Sequence, residues 1–310
     1  MVTCEEIHQQ SKIRKTCLLF ERISKPLGIR RLRLASTTMI MMCGKSGWRN
    51  RHLHDQLKCG RDKSAIRLLV EAGANVNTPS KPGKDPPIVG SLKDGCIDIA
   101  MMLLEAHNVD VDQTGSDEKA PLYIACDKRF LQVAERLIHK GANVNKSGWN
   151  GNTPLYMACG SRNDNRVVKL LLENGANVNQ PNSAGDTPLH KACEEDVKTT
   201  VDLLLRMGAN VHQANANGES PLYKIMKYYD HRERKMLDLL LESGADVNQG
   251  DVNGNTPFHL VVTRHSVSVA ELFLQHGAHV NQRNKAGWTA LRMALRSDMV
   301  NFLKIHGGMK

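Results

Sequence analysis

The chain has 310 residues, of which 41% are hydrophobic and 24% charged, so it is long and apolar enough to build a core, and its 4% aromatic content points to a core of Leu, Val, Ala and Met. No apolar run reaches the length that crosses a membrane. The formal net charge of +10 is uneven: residues 1–44 hold eight Lys/Arg against three Glu, and the rest is spread too thinly for a nucleic-acid footprint across the body of the protein.

In chain order, residues 4–24 read as a weakly amphipathic helix through Ile7, Ile13, Cys17, Phe20 and Ile23. Arg30-Arg31-Leu32-Arg33 and the apolar Met39-Ile40-Met41-Met42 come next. Charge and apolar run lie too far in for a secretory signal. The segment 1–44 is expected to be disordered or partly helical, with a helix capping the adjoining region and a targeting role as the alternatives.

From about residue 45 one pentapeptide sets the organisation. Gly-Ala-Asn-Val-Asn or a near copy begins at Gly73, Gly141, Gly175, Gly208, Gly244 and Gly277, in steps of 68, 34, 33, 36 and 33 residues. The worn copy Asn108-Val109-Asp110-Val111 divides the long step, so a period of about 33 residues governs the region, as in solenoids and arrays. Approximate units are 45–77, 78–112, 113–145, 146–179, 180–212, 213–248, 249–281 and a terminal 282–310.

The fifth unit is the most regular. Gly185 marks a turn, Thr187 is placed to cap a helix, and Pro188 suits a first helical position. Leu189, Ala192 and Cys193 form one apolar face, Val201, Leu204 and Leu205 another, and Met207-Gly208 ends the second helix. Two such short helices cannot enclose a core alone, so each unit must be buried against its neighbours.

At these residues the chain resembles the ankyrin-repeat family. The signature Thr-Pro-Leu-His-x-Ala is complete at Thr187–Ala192, and variants begin at Ala120, Thr153, Ser220, Thr256 and Thr289. The units around Asp85-Pro86-Pro87-Ile88 and Arg51-His52-Leu53-His54 are degraded, and the last unit is short and expected to be a polar cap that lacks residues between its helices. The resemblance implies an all-α solenoid of about 7–8 helix-turn-helix repeats with projecting β-hairpin turns. Hairpin tips and first helices would then line a partner-binding face. It also implies that motif histidines such as His190 and His259 bond the turn of the repeat, a role that Tyr123, Tyr156 and Tyr223 would fill only through a hydroxyl.

Candidate binding residues lie where the repeat is broken. Trp149 sits at a hairpin tip, where the other units carry Ser183, Ala216 beside Asn217, Val252 and Lys285. The sixth unit inserts three residues within Lys227–Lys235 and adds Tyr228, Tyr229, Arg232 and Arg234, aromatic and arginine types that anchor interfaces. Trp288 is expected to pack locally. The last residues of the pentapeptides, Asn145, Asn179, Asn248 and Asn281, are by resemblance sites that an asparaginyl hydroxylase can modify.

Candidates for chemistry dissolve under the period. Cys126, Cys159 and Cys193 hold one place in successive units, whose helices pack about 8–10 Å apart, and a disulfide needs Cα atoms about 4.4–6.8 Å apart, so reduced core thiols are expected. With no CxxC pair, the eight cysteines favour a reducing compartment, the cytoplasm with the nucleus as alternative. No phosphate loop, kinase set or nucleophile elbow occurs. The sequence therefore points to a non-catalytic, monomeric scaffold or adaptor for another protein, with no metal or cofactor. Nucleic-acid or acidic-membrane binding through the basic arm and substrate recognition for a ubiquitin ligase stand as alternatives.

Overall fold

The units from the third to the seventh start their first helices at a proline, and in the fourth and fifth the threonine before it caps the helix. Thr153 accepts from the Tyr156 backbone N–H at 3.1 Å, and Thr187 pairs with His190 in a reciprocal capping box. The computed structural model describes residues 46–59, 63–160, 165–228, 234–264 and 266–309. The N-terminal segment, Tyr229 and Arg232 lie outside the described residues.

Sixteen helices in eight pairs are present among the described residues. They are α1 (Ser46–Cys59) with α2 (Lys63–Glu71), α3 (Pro87–Lys93) with α4 (Ile97–Leu104), and α5 (Pro121–Asp127) with α6 (Leu131–His139). Next come α7 (Pro154–Ala158) with α8 (Arg166–Glu173), α9 (Pro188–Glu194) with α10 (Lys198–Arg206), and α11 (Pro221–Tyr228) with α12 (Arg234–Glu242). The last are α13 (Pro257–Arg264) with α14 (Val267–Gln275), and α15 (Ala290–Met293) with α16 (Ser297–Ile305). The two degraded units thus form helix pairs too, with Leu53, Ile66, Ile88 and Leu92 fully buried.

Two features differ from the sequence reading. No strand occurs among the described residues: each projecting turn from the fourth repeat to the last is closed by two backbone bonds within the turn, such as Asn182 N–H to Asp186 O at 3.0 Å and Gly185 N–H to Asn182 O at 2.9 Å, without a paired ladder. In the last unit the shortfall lies inside the first helix, since α15 has 4 residues where α9 has 7, while three residues still separate the two helices.

The described chain divides into two units. The first runs to Ala125 and takes in Gln132–Ala142; the second comprises Cys126–Leu131 and Asn143 onward. In the second, the helical faces read from sequence are the buried ones: Leu189, Ala192 and Cys193 on α9, and Val201 and Leu204 on α10. Leu205 is half-buried.

The end of one repeat is tied to the next by an asparagine. Asn145 Oδ1 accepts from the Asn177 N–H at 2.7 Å while its Nδ2 donates to Gly175 O at 3.1 Å. Asn179 bridges to Asn210 N–H and Gly208 O at 2.7 and 3.1 Å, Asn248 to His279 N–H and Gly277 O at 2.8 and 2.9 Å, and Asn281 to Met309 N–H and Gly307 O at 2.7 and 2.9 Å. In the first unit Asn77 does the same for Asp110 N–H and Asn108 O. Each amide satisfies a carbonyl left over at a helix end together with a nearby loop N–H.

His212 stands in the asparagine's place in the fifth repeat, as Asp112 does in the second; at the His212 junction Gln249 Nε2 donates to His212 O at 3.0 Å, a bond that Gln282 repeats to Asn248 O at 3.4 Å beside an intact rung. We expect His212→Asn to restore the rung and stabilise the protein by roughly 0.5–1.5 kcal/mol. Urea unfolding reads this directly; a midpoint equal to or below that of the wild type would count against the bridge as a stabilising element.

Candidate functional site

The projecting turns of the second unit form one row. In each, an Asn or Asp side chain fixes the turn: Asn182 Oδ1 accepts from the Ala184 and Asp186 N–H groups, both at 2.9 Å, and Asp251 Oδ1 from Asn253 and Asn255 at 2.9 and 2.8 Å. Each tip then bonds to the one before. Ser183 N–H donates to Asn150 O, Ala216 to Ala184 O, Val252 to Asn217 O and Lys285 to Asn253 O, at 3.1, 2.9, 2.8 and 2.9 Å. A second row runs beneath through side chains, with Asn182 Nδ2 on Asn152 Oδ1, Asn215 Nδ2 on Asp186 Oδ1 and Asn284 Nδ2 on Asn255 Oδ1, each at 2.8 Å.

The tip ladder uses only backbone, so its side chains are left to solvent. Trp149 is 71% exposed and Val252 49%, and Ser183, Ala216, Asn217 and Lys285 lie on the same ladder of turns. The row therefore brings together every tip residue named from the sequence. Trp288 lies one residue before Thr289 with the Arg292 guanidinium 5.0 Å from its ring centre, but it is 42% exposed, so the local packing expected of it is partial.

The sixth-repeat candidates are not gathered at this row. Tyr228 ends α11, and its side chain falls outside the described residues. Arg234 is exposed and pairs with Asp238 at 3.5 Å one turn along its own helix. Asn145, Asn179, Asn248 and Asn281 are half-buried, with both ends of each amide engaged in the bridges above. Cys126, Cys159 and Cys193 are unpaired and buried, and burial pushes their thiols up. Among the described residues no cluster of three His, Cys, Asp or Glu is placed to hold a metal.

Behind the tips lies a buried polar layer. His190 Nδ1 accepts from the Thr187 N–H at 3.1 Å and its Nε2–H reaches Glu219 O at 3.0 Å, the carbonyl before the next cap; His259 repeats this with Thr256 and Trp288 O at 3.1 and 3.2 Å. This fixes a neutral, Nε2-protonated imidazole in both places. Burial holds both below the usual histidine range, outweighing the carbonyl bonds and nearby carboxylates that favour the cation. Tyr223 spans the same interval differently, its hydroxyl donating to Asp251 Oδ2 at 2.9 Å.

One part of this layer was not read from the sequence. Lys224 is buried with Nζ 3.5 Å from Asp186 and 3.8 Å from Glu219, Lys227 reaches Glu219 at 2.7 Å, and Asn215 Nδ2 lies 3.2 Å from Glu219. The available signal was Glu219 directly before Ser220, at the position of Asp186, and a lysine four residues after the cap. It is a compensated charge cluster that joins two repeats.

The sequence matches the family described as ankyrin repeats (3 copies) over residues 53–148, 89–182, 145–215 and 225–308, which together cover most of the chain. Its fold is similar to the ankyrin repeat domain of Bcl-3, a member of the IkappaB protein family, with TM-score 0.62 and 24% identity over 71% of this chain and 98% of that one. It is also similar to the human ASB11 ankyrin repeat domain, with TM-score 0.60 and 26% identity over 72% and 99%. Among curated proteins, alpha-latrocrustotoxin-Lt1a of Latrodectus tredecimguttatus is 34% identical over 89 residues, which is 29% of this chain and 6% of the relative. Alpha-latroinsectotoxin-Lt1a of the same spider is 31% identical over 85 residues, 27% of this chain and again 6% of the relative.

The row and the layer behind it can each be tested. Gly185 has φ +79°, and a Cβ there would also stand 2.7 Å from the Ala216 nitrogen, whereas Gly287, at φ +76°, has open space beside it. We expect Gly287→Ala to cost only the left-handed strain of about 1–2 kcal/mol. Gly185→Ala should cost a further 1–3 kcal/mol or so from overpacking; equal losses in urea unfolding would deny the tip contact. For the histidines, an unfolded imidazole takes up a proton near pH 6.5, and the buried ones resist it. Stability is then full above that pH and falls as pH drops below it. His190→Tyr, which copies the residue at positions 123, 156 and 223, should make the loss between pH 7 and 5 shallower; an unchanged slope would place the acid sensitivity elsewhere.

Proposed function

Because this chain belongs to the ankyrin-repeat family, we propose that it is a non-catalytic adaptor or scaffold that binds another protein across the tips of its turns and the adjoining first helices. The observation that carries this reading is Trp149. An indole exposed to 71% stands on a turn whose backbone is hydrogen-bonded to the next one. Large aromatic side chains on a rigid frame lose little entropy on binding and are common interface anchors. Val252, further along the same row, extends the apolar contact, and Ser183, Asn217 and Lys285 supply a polar surround. The charge cluster around Lys224 and Glu219 holds the frame and is too well compensated to be the recognition element.

The competing reading, binding of nucleic acid through residues 1–44, rests on sequence charge alone. The experiment that separates them is quantitative capture of partners from native cells on four baits: the wild type, Trp149→Ala, Val252→Ser and a chain lacking residues 1–44. Trp149→Ala is expected to reduce the captured partner by about 30-fold, the scale of a hot-spot residue. Its stability should change by less than about 0.5 kcal/mol, as for an exposed site. The shortened chain should bind like the wild type. Undiminished capture by Trp149→Ala together with loss on shortening would sink the proposal.

A further inference from the structure

The first helix of the second repeat lacks a side chain that the following repeats supply. Pro87 starts α3 as Pro121, Pro154, Pro188, Pro221 and Pro257 start the first helices of the next five repeats, so Gly90 holds the place of Ile124, Met157, Lys191, Lys224 and Leu260. All five of these are long side chains. Two of them run back over the preceding repeat: Lys224 Nζ stands 3.5 Å from Asp186, and a Cβ on Gly160 would stand 3.4 Å from Lys191 Cε. At Gly90 nothing crosses. A Cβ there meets no atom within 4 Å, and a groove of about 370 Å³ opens between α1 and α3.

The groove is mainly apolar and carries no net charge that asks for a counter-ion. Leu57 of α1, Pro87 of α3 and Ile99 of α4 line it together with His54, and the exposed Cys96 stands on its wall. Lys93, the half-buried cation beside it, is held by Asp85 at 2.9 Å and Asp117 at 2.8 Å. Lys84 and Asp94, both exposed at the rim, are of opposite sign. A groove of this kind gains most from an aliphatic side chain brought in from elsewhere in place of water.

We propose that the groove is the seat of this chain's own Met39-Ile40-Met41-Met42, one of whose side chains fills the space left at Gly90. The run itself lies outside the described residues, and both its composition and its reach favour it as the occupant. α1 rises about 1.5 Å per residue, which puts His54 and Leu57 about 12 and 17 Å from Ser46. A chain running back along α1 at about 3.3 Å per residue reaches about 13 Å at Met42 and about 23 Å at Met39, so the run spans the level of both lining residues. Gly44, between the run and α1, tolerates the backbone angles that a reversal needs. Methionine suits such a gap because its unbranched thioether adapts to an irregular wall. The seat belongs to the first unit and stands whether or not the Trp149 tip binds a partner.

Disulfide trapping in the full chain tests the seat. With Met39→Cys, mild oxidation is expected to join the new thiol to Cys96, and peptide mapping by mass spectrometry reads the yield. Gly90→Leu, whose Cβ has open space, fills the groove from the α3 side. It should cut that yield at least about tenfold, as for displacing one buried Met or Ile side chain. Independently, Met39→Ser, Ile40→Ser, Met41→Ser and Met42→Ser together should speed hydrogen exchange at the amides of α1 and α3 by about tenfold and leave those of α9 to α14 unchanged. Adding Gly90→Leu to that chain should restore the protection, because it supplies the missing side chain. A yield that Gly90→Leu leaves intact would overturn the proposal, and so would exchange at α1 and α3 that the four serines do not change. A disulfide found between two chains rather than within one would assign the groove to a second copy and overturn the choice of occupant.

Discussion

The structure depends on the hydrogen bonding that joins one repeat to the next. A helix of seven residues such as α9 or nine such as α10 is too short to persist in water by itself. Its apolar face therefore has to be covered by a neighbour, and the neighbour has to be held in register. The asparagine that ends most repeats does this with one side chain, because its amide is both donor and acceptor. It meets the carbonyl that the next repeat's helix end cannot satisfy and the N–H two residues on, so a polar group that would otherwise be stranded becomes the link.

At the other edge of each repeat the same requirement is met differently, and there the difference creates a surface. The tips are joined backbone to backbone, and the layer behind them is closed by His190, Tyr223 or His259 reaching into the next turn. A side chain that makes no structural bond can change without disturbing the stack. Tryptophan, serine, alanine, valine and lysine can thus succeed one another along a single row while the backbone stays the same. Rigidity and variability sit in the same residues because they belong to different atoms.

The period, the caps and the apolar faces were legible because each is a local pattern: Thr-Pro starts a helix, Gly ends one, and 3.6-residue spacing marks a buried face. The histidine bridge was legible through the motif. What escaped the sequence depends on residues some 30 positions apart. Lys224 looks like any lysine until Asp186 and Glu219 are placed beside it, and nothing local says that a carboxylate from the previous repeat lies within 3.5 Å. The exposure of Leu295 escaped for the opposite reason. Its position in the repeat predicts burial, and the early end of α15 with the extended backbone of Ala294 turns it outward. Trp149 was identified because a large aromatic interrupts a position otherwise held by small, aliphatic or charged residues.

The lapse at His212 shows how the two edges share the work. At the junction where His212 replaces the asparagine, Asp186, Asn215, Glu219 and Lys224 are drawn together at the opposite edge. There His190 also reaches Glu219 O and the Ala216 N–H reaches Ala184 O. Buried charges are costly unless paired, so this cluster holds only while the two repeats stay in contact, and parting them would expose unpaired carboxylates and a lysine at once. Register at that junction is carried by electrostatics near the tips where other junctions divide it between tips and asparagine. A substitution at Lys224 therefore acts on the positions of Ala216 and its neighbours in the row, although Lys224 itself is buried away from solvent.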